Sequence, residues 1–73
     1  MKLPLLSARE VIRILRKMGF EEIRQKGSHK YFRHPDGRTT VVPVHPGRDI
    51  GKGLLKRIMN EVQVDREEFF SYL

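Results

Sequence analysis

Apolar residues recur at helical spacing near the start of the chain: Ala8, Val11, Ile12, Leu15 and Met18, with Arg9, Arg13, Arg16 and Lys17 elsewhere on the turn. That period predicts an amphipathic helix over 8–18. Ser7-Ala8-Arg9-Glu10 opens it as a capping box, in which the Ser7 hydroxyl takes the Glu10 amide and Glu10 reaches back. Leu5 or Leu6 is placed to staple onto Val11, and Gly19 supplies a left-handed stop. From Phe20 to Gln25 the pattern becomes that of a short, irregular strand anchored by Phe20 and Ile23. Lys26-Gly27-Ser28 reads as a turn. His29 to His34 alternates with a period of two, with His29, Tyr31 and Arg33 on one face and Lys30, Phe32 and His34 on the other. Pro35-Asp36-Gly37 is a tight turn. Arg38 to Val44 is a Thr- and Val-rich strand that ends at Pro43 or runs along an edge, because proline has no amide to donate.

A loop with three glycines, His45 to Gly53, leads to a second helix over 52–61, with Ile50, Leu54, Leu55, Ile58, Met59 and Val62 apolar. Asp65-Arg66-Glu67-Glu68 is a second capping box and opens a short terminal helix. Phe69, Phe70, Tyr72 and Leu73 then dock on the body or on a partner. The predicted fold is α+β in the order α-β-β-β-α. A three-stranded antiparallel sheet carries the helices on one face and leaves the other open. This is the layout of a double-stranded-RNA-binding domain. Seventy-three residues form one domain, 1–73, whose core contributes about 3–5 kcal/mol net without staples, so added stability from a partner protein is expected.

Charge changes the picture. Lys and Arg number 15 against 9 Asp and Glu, a net +6. Residues 1–34 carry nine basic and three acidic residues, 35–57 five and two, and 58–73 one and four. The basic field therefore belongs to the body of the fold, which points to a polyanion such as RNA. There is no cysteine and no zinc-ligand spacing. The opening run Met1 to Leu6 is too short for a signal peptide, and no segment is long and apolar enough for a transmembrane helix, so the cytoplasm is the expected compartment. Gly51-Lys52-Gly53 offers amides and an ammonium at a helix start but lacks P-loop spacing, which argues against nucleotide hydrolysis. Glu21 and Glu22 point to opposite faces of an extended strand and do not form a two-metal nuclease cluster. No metal or cofactor is expected.

The densest chemistry is Lys26-Gly27-Ser28-His29-Lys30-Tyr31-Phe32. RNA carries its own nucleophile, the ribose 2′-hydroxyl, so cleavage needs a base and cations around phosphorus. Imidazole titrates near neutrality and suits either the base or the acid role. Lys26 and Lys30 flank His29, Gly27 admits a phosphate close to the backbone, and Ser28 adds a donor. Tyr31 on the His29 face is placed to stack on a base, with Phe32 in the core. An ordinary strand histidine and two packing aromatics are the plainer alternatives. His34 is expected to be structural or solvated. His45, on its loop, is open as a second acid or base, and so are Lys30 and water as proton donors to the leaving oxygen. Two other functions share these features. One is a non-catalytic RNA-binding module that differs only at His29. The other is a protein-interaction module working through Phe69, Phe70 and Tyr72.

The chain resembles the HicA-type toxins, the mRNA interferase half of bacterial toxin–antitoxin pairs. The likeness runs through Ser7-Ala8-Arg9-Glu10-Val11, Lys17-Met18-Gly19-Phe20, Lys26 to His34, Val41-Val42-Pro43-Val44-His45, and Ile50, Gly53 and Leu55. Gly-Ser-His is its specific element. The resemblance implies a fold like a double-stranded-RNA-binding domain and metal-independent endoribonuclease cleavage of mRNA. It also implies a HicB-type antitoxin that covers the site. It assigns the catalytic histidine to His29 and phosphate-binding roles to Lys26 and Lys30. Where such toxins often read Gly-Thr-Leu-Arg before the last main helix, this chain has Gly53-Leu54-Leu55-Lys56. Loss of the threonine removes a cap or phosphate donor there.

Overall fold

The computed structural model describes residues 5–73. Most of the Met1–Leu6 run, on which the signal-peptide reading turned, lies outside them. Strand β1 (Leu6–Ser7) leads directly into α1 (Ala8–Met18). The capping box is complete: the Ser7 amide donates to Glu10 Oε1 at 2.9 Å and the Glu10 amide donates to Ser7 Oγ at 3.1 Å. Gly19 ends the helix with φ +104°, a left-handed conformation that glycine adopts without a Cβ penalty. The buried stripe of α1 is Ala8, Val11, Ile14 and Leu15. Ile14 replaces the expected Ile12, which is only half-buried, because the i, i+3, i+4 rows from Val11 face the sheet. Of the two candidate staple residues, Leu6 is buried and Leu5 is exposed.

Strands β2 (Glu21–Lys26), β3 (His29–Arg33) and β4 (Thr39–Pro43) form an antiparallel sheet in the order β2-β3-β4. The pairing of β4 ends at Pro43, after which the Val44 amide donates to the Ser28 carbonyl at 2.7 Å. A bulge between Glu22 and Arg24 breaks the β2 register. It makes Ile23 the extra residue and leaves it 55 % exposed, correcting its expected role as an anchor. Phe20, Phe32 and Val42 are buried on the helix-covered face, joined by Leu55, Ile58 and Met59 of α2 (Lys52–Glu61) and by Val62 just after it.

One feature went beyond the expected plan. The short strand β5 (Asp49–Ile50) pairs antiparallel with β1, with Leu6 opposite Ile50 and Ser7 opposite Asp49, so both helices start from one small two-stranded sheet. The expected terminal helix α3 (Arg66–Ser71) docks on the body: Phe69 is fully buried and Phe70 and Tyr72 pack against the core, whereas Leu73 is exposed. Its cap is half of the expected box, with the Glu68 amide donating to Asp65 Oδ1 at 2.8 Å. The α-β-β-β-α architecture, with a short C-terminal helix, follows from these elements. No described helix is long and apolar enough to cross a membrane.

Candidate nucleic-acid interface

Lys26 and His29 are directly paired across the β2–β3 hairpin, so only Gly27 and Ser28 make the turn. Gly27 has φ +59°, the left-handed first position that a two-residue hairpin with a II′ turn requires. A Cβ on Gly27 would meet nothing within 4 Å, so the turn presents open space beside the backbone. The Gln25 side-chain amide donates to the Gly27 carbonyl at 3.0 Å and braces the loop. His29 and Lys26 are exposed, and Ser28 is half-buried.

Cross-strand partners share a face of a sheet. On the open face, His29 lies between Lys26 and Pro43, Tyr31 between Arg24 and Val41, and Arg33 between Glu21 and Thr39. Arg24 and Arg33 thus join Lys26 and His29 on one surface, and the Arg24 guanidinium lies 4.5 Å over the Tyr31 ring. Strand parity placed Arg33 on this face without a role, and Arg24 was not singled out from the sequence. Arg24 lies two residues before Lys26, on the same face, and the bulge between Glu22 and Arg24 moves Glu22 to the other face.

Lys30 is not brought together with His29. It shares the helix-covered face with Phe32, and its ammonium lies 3.5 Å from Glu22 Oε1. The same oxygen is 3.6 Å from the Arg16 guanidinium of α1. Glu22 is therefore a carboxylate tie between β3 and α1. The sequence carried no signal for it beyond an acidic residue in a basic region.

His34 is a structural residue. Its Nε2 donates to the Met18 carbonyl at 3.1 Å, its Nδ1 accepts the Asp36 amide at 3.1 Å, and its ring meets Phe20 edge-on with centroids 5.2 Å apart. In the β3–β4 turn, Arg38 grips Asp36 with a 2.9 Å ion pair, and this holds the Asp36 carboxyl below its ordinary pKa. His45 is exposed on the loop two residues past Pro43, the β4 partner of His29. The start of α2 is capped by Gly51 without any side-chain hydrogen bond, consistent with the absent threonine. Among the described residues no three His, Cys, Asp or Glu side chains are grouped to hold a metal ion.

A family model described as the HicA toxin of bacterial toxin–antitoxin systems matches residues 8–64. The match runs from the first residue of α1 to three residues past α2, and so includes the Gly27–Ser28 turn, all three sheet strands and both main helices. No curated protein matches the chain. The family model spans most of the 73 residues, and the chain belongs to the HicA toxin family of bacterial toxin–antitoxin systems.

Proposed function

We propose that this toxin is a metal-independent endoribonuclease that cleaves mRNA in the cytoplasm, and that its antitoxin is of the HicB type. The observation that carries the proposal is the direct pairing of Lys26 and His29 across a two-residue glycine turn, at the exposed end of a hairpin with an open, cationic face. That arrangement puts an imidazole opposite a lysine across the hairpin, with room for a phosphodiester against the turn backbone.

In the proposed reaction His29 takes the proton of the ribose 2′-hydroxyl. The oxygen attacks the adjacent phosphorus, the bond to the 5′-oxygen breaks, and that oxygen leaves with a proton supplied by His45 or water. The products are a 2′,3′-cyclic phosphate and a 5′-hydroxyl end. A positioned base contributes roughly 10²–10⁴-fold. Lys26 opposes the charge that builds on the phosphoryl oxygens, Gly27 admits the phosphate close to the backbone and Ser28 supplies a donor. Lys30, tied to Glu22 on the far face of β3, adds to the local positive field rather than touching phosphorus. Tyr31 stacks on a base beside the scissile bond. The antitoxin masks the open face with acidic residues set against Lys26, Arg24 and Arg33.

Cleavage of a purified RNA in excess EDTA, by wild type beside His29→Ala, tests this directly. Cleavage by the wild type alone is the expected result. Equal cleavage by both moves the chemistry to another residue, with His45 next. Salt-sensitive binding by both without cleavage makes the chain an RNA-binding module.

A further inference from the structure

Two clefts outside the His29 turn are lined by cations and share one residue, Arg9. A groove of about 430 Å³ runs along α1, lined by Arg9, Ile12, Arg13, Arg16 and Lys17. A second cleft, of about 310 Å³, opens between the first turn of α1 and the β4–β5 loop, with His45, Arg48 and Arg9 among its polar walls and Val44 and Pro46 among its apolar ones. Val44 is also the residue whose amide bonds the Ser28 carbonyl, so the second cleft begins where the catalytic turn is anchored. At the other end of the groove, Arg16 shares the Glu22 carboxylate with Lys30, the neighbour of His29.

From this geometry we infer that the two clefts form one distal track for the RNA strand, holding phosphodiesters that flank the cleaved one. The inference rests on the endoribonuclease reading above and adds a subsite to it. Arg9, Arg13 and Arg16 follow i, i+4, i+7 spacing, which stacks their side chains one per turn, about 5–6 Å apart. That is a row of guanidiniums for a repeating anion, and guanidinium binds phosphate with two parallel donors. No carboxylate lines either cleft, and among the described residues only Arg16 of these cations has an ion pair. A protein partner would need a buried apolar or aromatic anchor at the centre of its interface. Ile12 in the groove and Val44 and Pro46 in the second cleft give some apolar wall, but none of the large exposed apolar residues described, Leu5, Ile23 and Leu73, lines either one. The chemistry therefore fits a nucleic-acid backbone.

The test uses the whole chain with Arg9→Gln, Arg13→Gln and Arg48→Gln combined; all three side chains are exposed. Binding is measured by fluorescence anisotropy on an oligoribonucleotide made uncleavable by 2′-O-methylation, and on a dinucleotide of the same chemistry. Circular dichroism confirms that the variant folds, and Arg→Lys at the same positions controls for charge. The expected result is roughly tenfold or greater loss of affinity for the long strand. The salt slope should fall by roughly 0.7 for each phosphate contact removed, and dinucleotide binding should hold. The Lys variant should recover part of the loss. Wild-type affinity of the Gln variant for the long strand would overturn the inference, as would a wild type that binds both lengths equally. Loss of binding to the antitoxin alone would reassign the surface to protein. Binding of uncleavable RNA does not depend on His29, so a failure of the catalytic reading is seen separately in the His29→Ala cleavage assay.

Discussion

The imidazole of His34 fills the space that a side chain on Gly19 would need: a Cβ there would lie 2.9 Å from His34 Nε2. The same nitrogen donates to the carbonyl of Met18, the last residue of α1. The stop of α1, the end of β3 and the Asp36 turn are thus fixed by one ring. Its position on the helix side of the sheet leaves the open face to His29, Tyr31 and Arg33.

Two of the left-handed glycines, Gly19 and Gly27, should respond differently to alanine. At Gly27, φ is +59° and a Cβ meets nothing, so Gly27→Ala should cost only the conformational strain, about 1–2 kcal/mol. At Gly19 the strain is joined by the collision with His34, a poorly compressible ring held at both nitrogens. Gly19→Ala should cost roughly 2–4 kcal/mol. Urea denaturation of both variants checks the order; a Gly19→Ala variant no less stable than Gly27→Ala would refute this view of His34.

Asp36 makes stability depend on acid. Hydrogen bonds from Arg38, side chain first and then backbone, lower its pKa in the folded state below the ordinary 3.8. A depressed carboxyl binds its proton more readily in the unfolded chain. Its contribution is therefore present above about pH 4 and is lost as pH falls through the lowered folded value. In thermal melts, wild type should lose stability over that acid window and Asp36→Asn should show a flatter profile there, with the difference between them largest near neutrality. Parallel profiles would mean the Arg38 pair has no thermodynamic weight.

Both main helices, Ala8–Met18 and Lys52–Glu61, were legible because their signals are local: a stripe of apolar positions in each, with a capping box and a glycine stop bounding the first. Strand parity correctly separated His29 and Tyr31 from Lys30 and Phe32. What could not be read was non-local. The β1–β5 pair joins two-residue strands more than forty positions apart, with no periodicity at that length. The bulge at Ile23 is one extra residue in a strand whose alternation was already weak, and it alone sends Glu22 to the face opposite Arg24, where it ties β3 to α1. Candidate chemistry was legible as a contiguous segment, whereas the companions that crossing strands bring to it were not.

A buried hydroxyl joins the sheet to the second helix. Thr40 is nearly fully buried and its Oγ1 donates to Glu61 Oε1 at 2.7 Å, while Arg57 lies 3.8 Å from the other carboxylate oxygen. Thr40→Val keeps the shape and removes the donor. Because Glu61 is partly solvated, the loss should be about 1–2 kcal/mol, at the low end for a bond to a charged group. A double-mutant cycle with Glu61→Gln should assign most of it to this pair; additive single effects would place it elsewhere.

Tyr31 is the residue on the open face whose proposed role in RNA binding is most sharply separable from its role in the fold. Its ring is half-buried, with Arg24 over one side and Val41 and Arg24 as its cross-strand partners. A base stacked on the ring uses its π-face and has no need of the hydroxyl. Tyr31→Phe should therefore bind RNA like wild type, and Tyr31→Ala should lose roughly 1–3 kcal/mol of affinity. Removing only the guanidinium, as in Arg24→Gln, should weaken binding mainly through charge and lower its salt dependence. Titration of the three variants with uncleavable RNA at two salt concentrations separates the terms. If Tyr31→Ala binds as tightly as Tyr31→Phe at both, the base does not stack there, and the open face holds RNA by its cations alone.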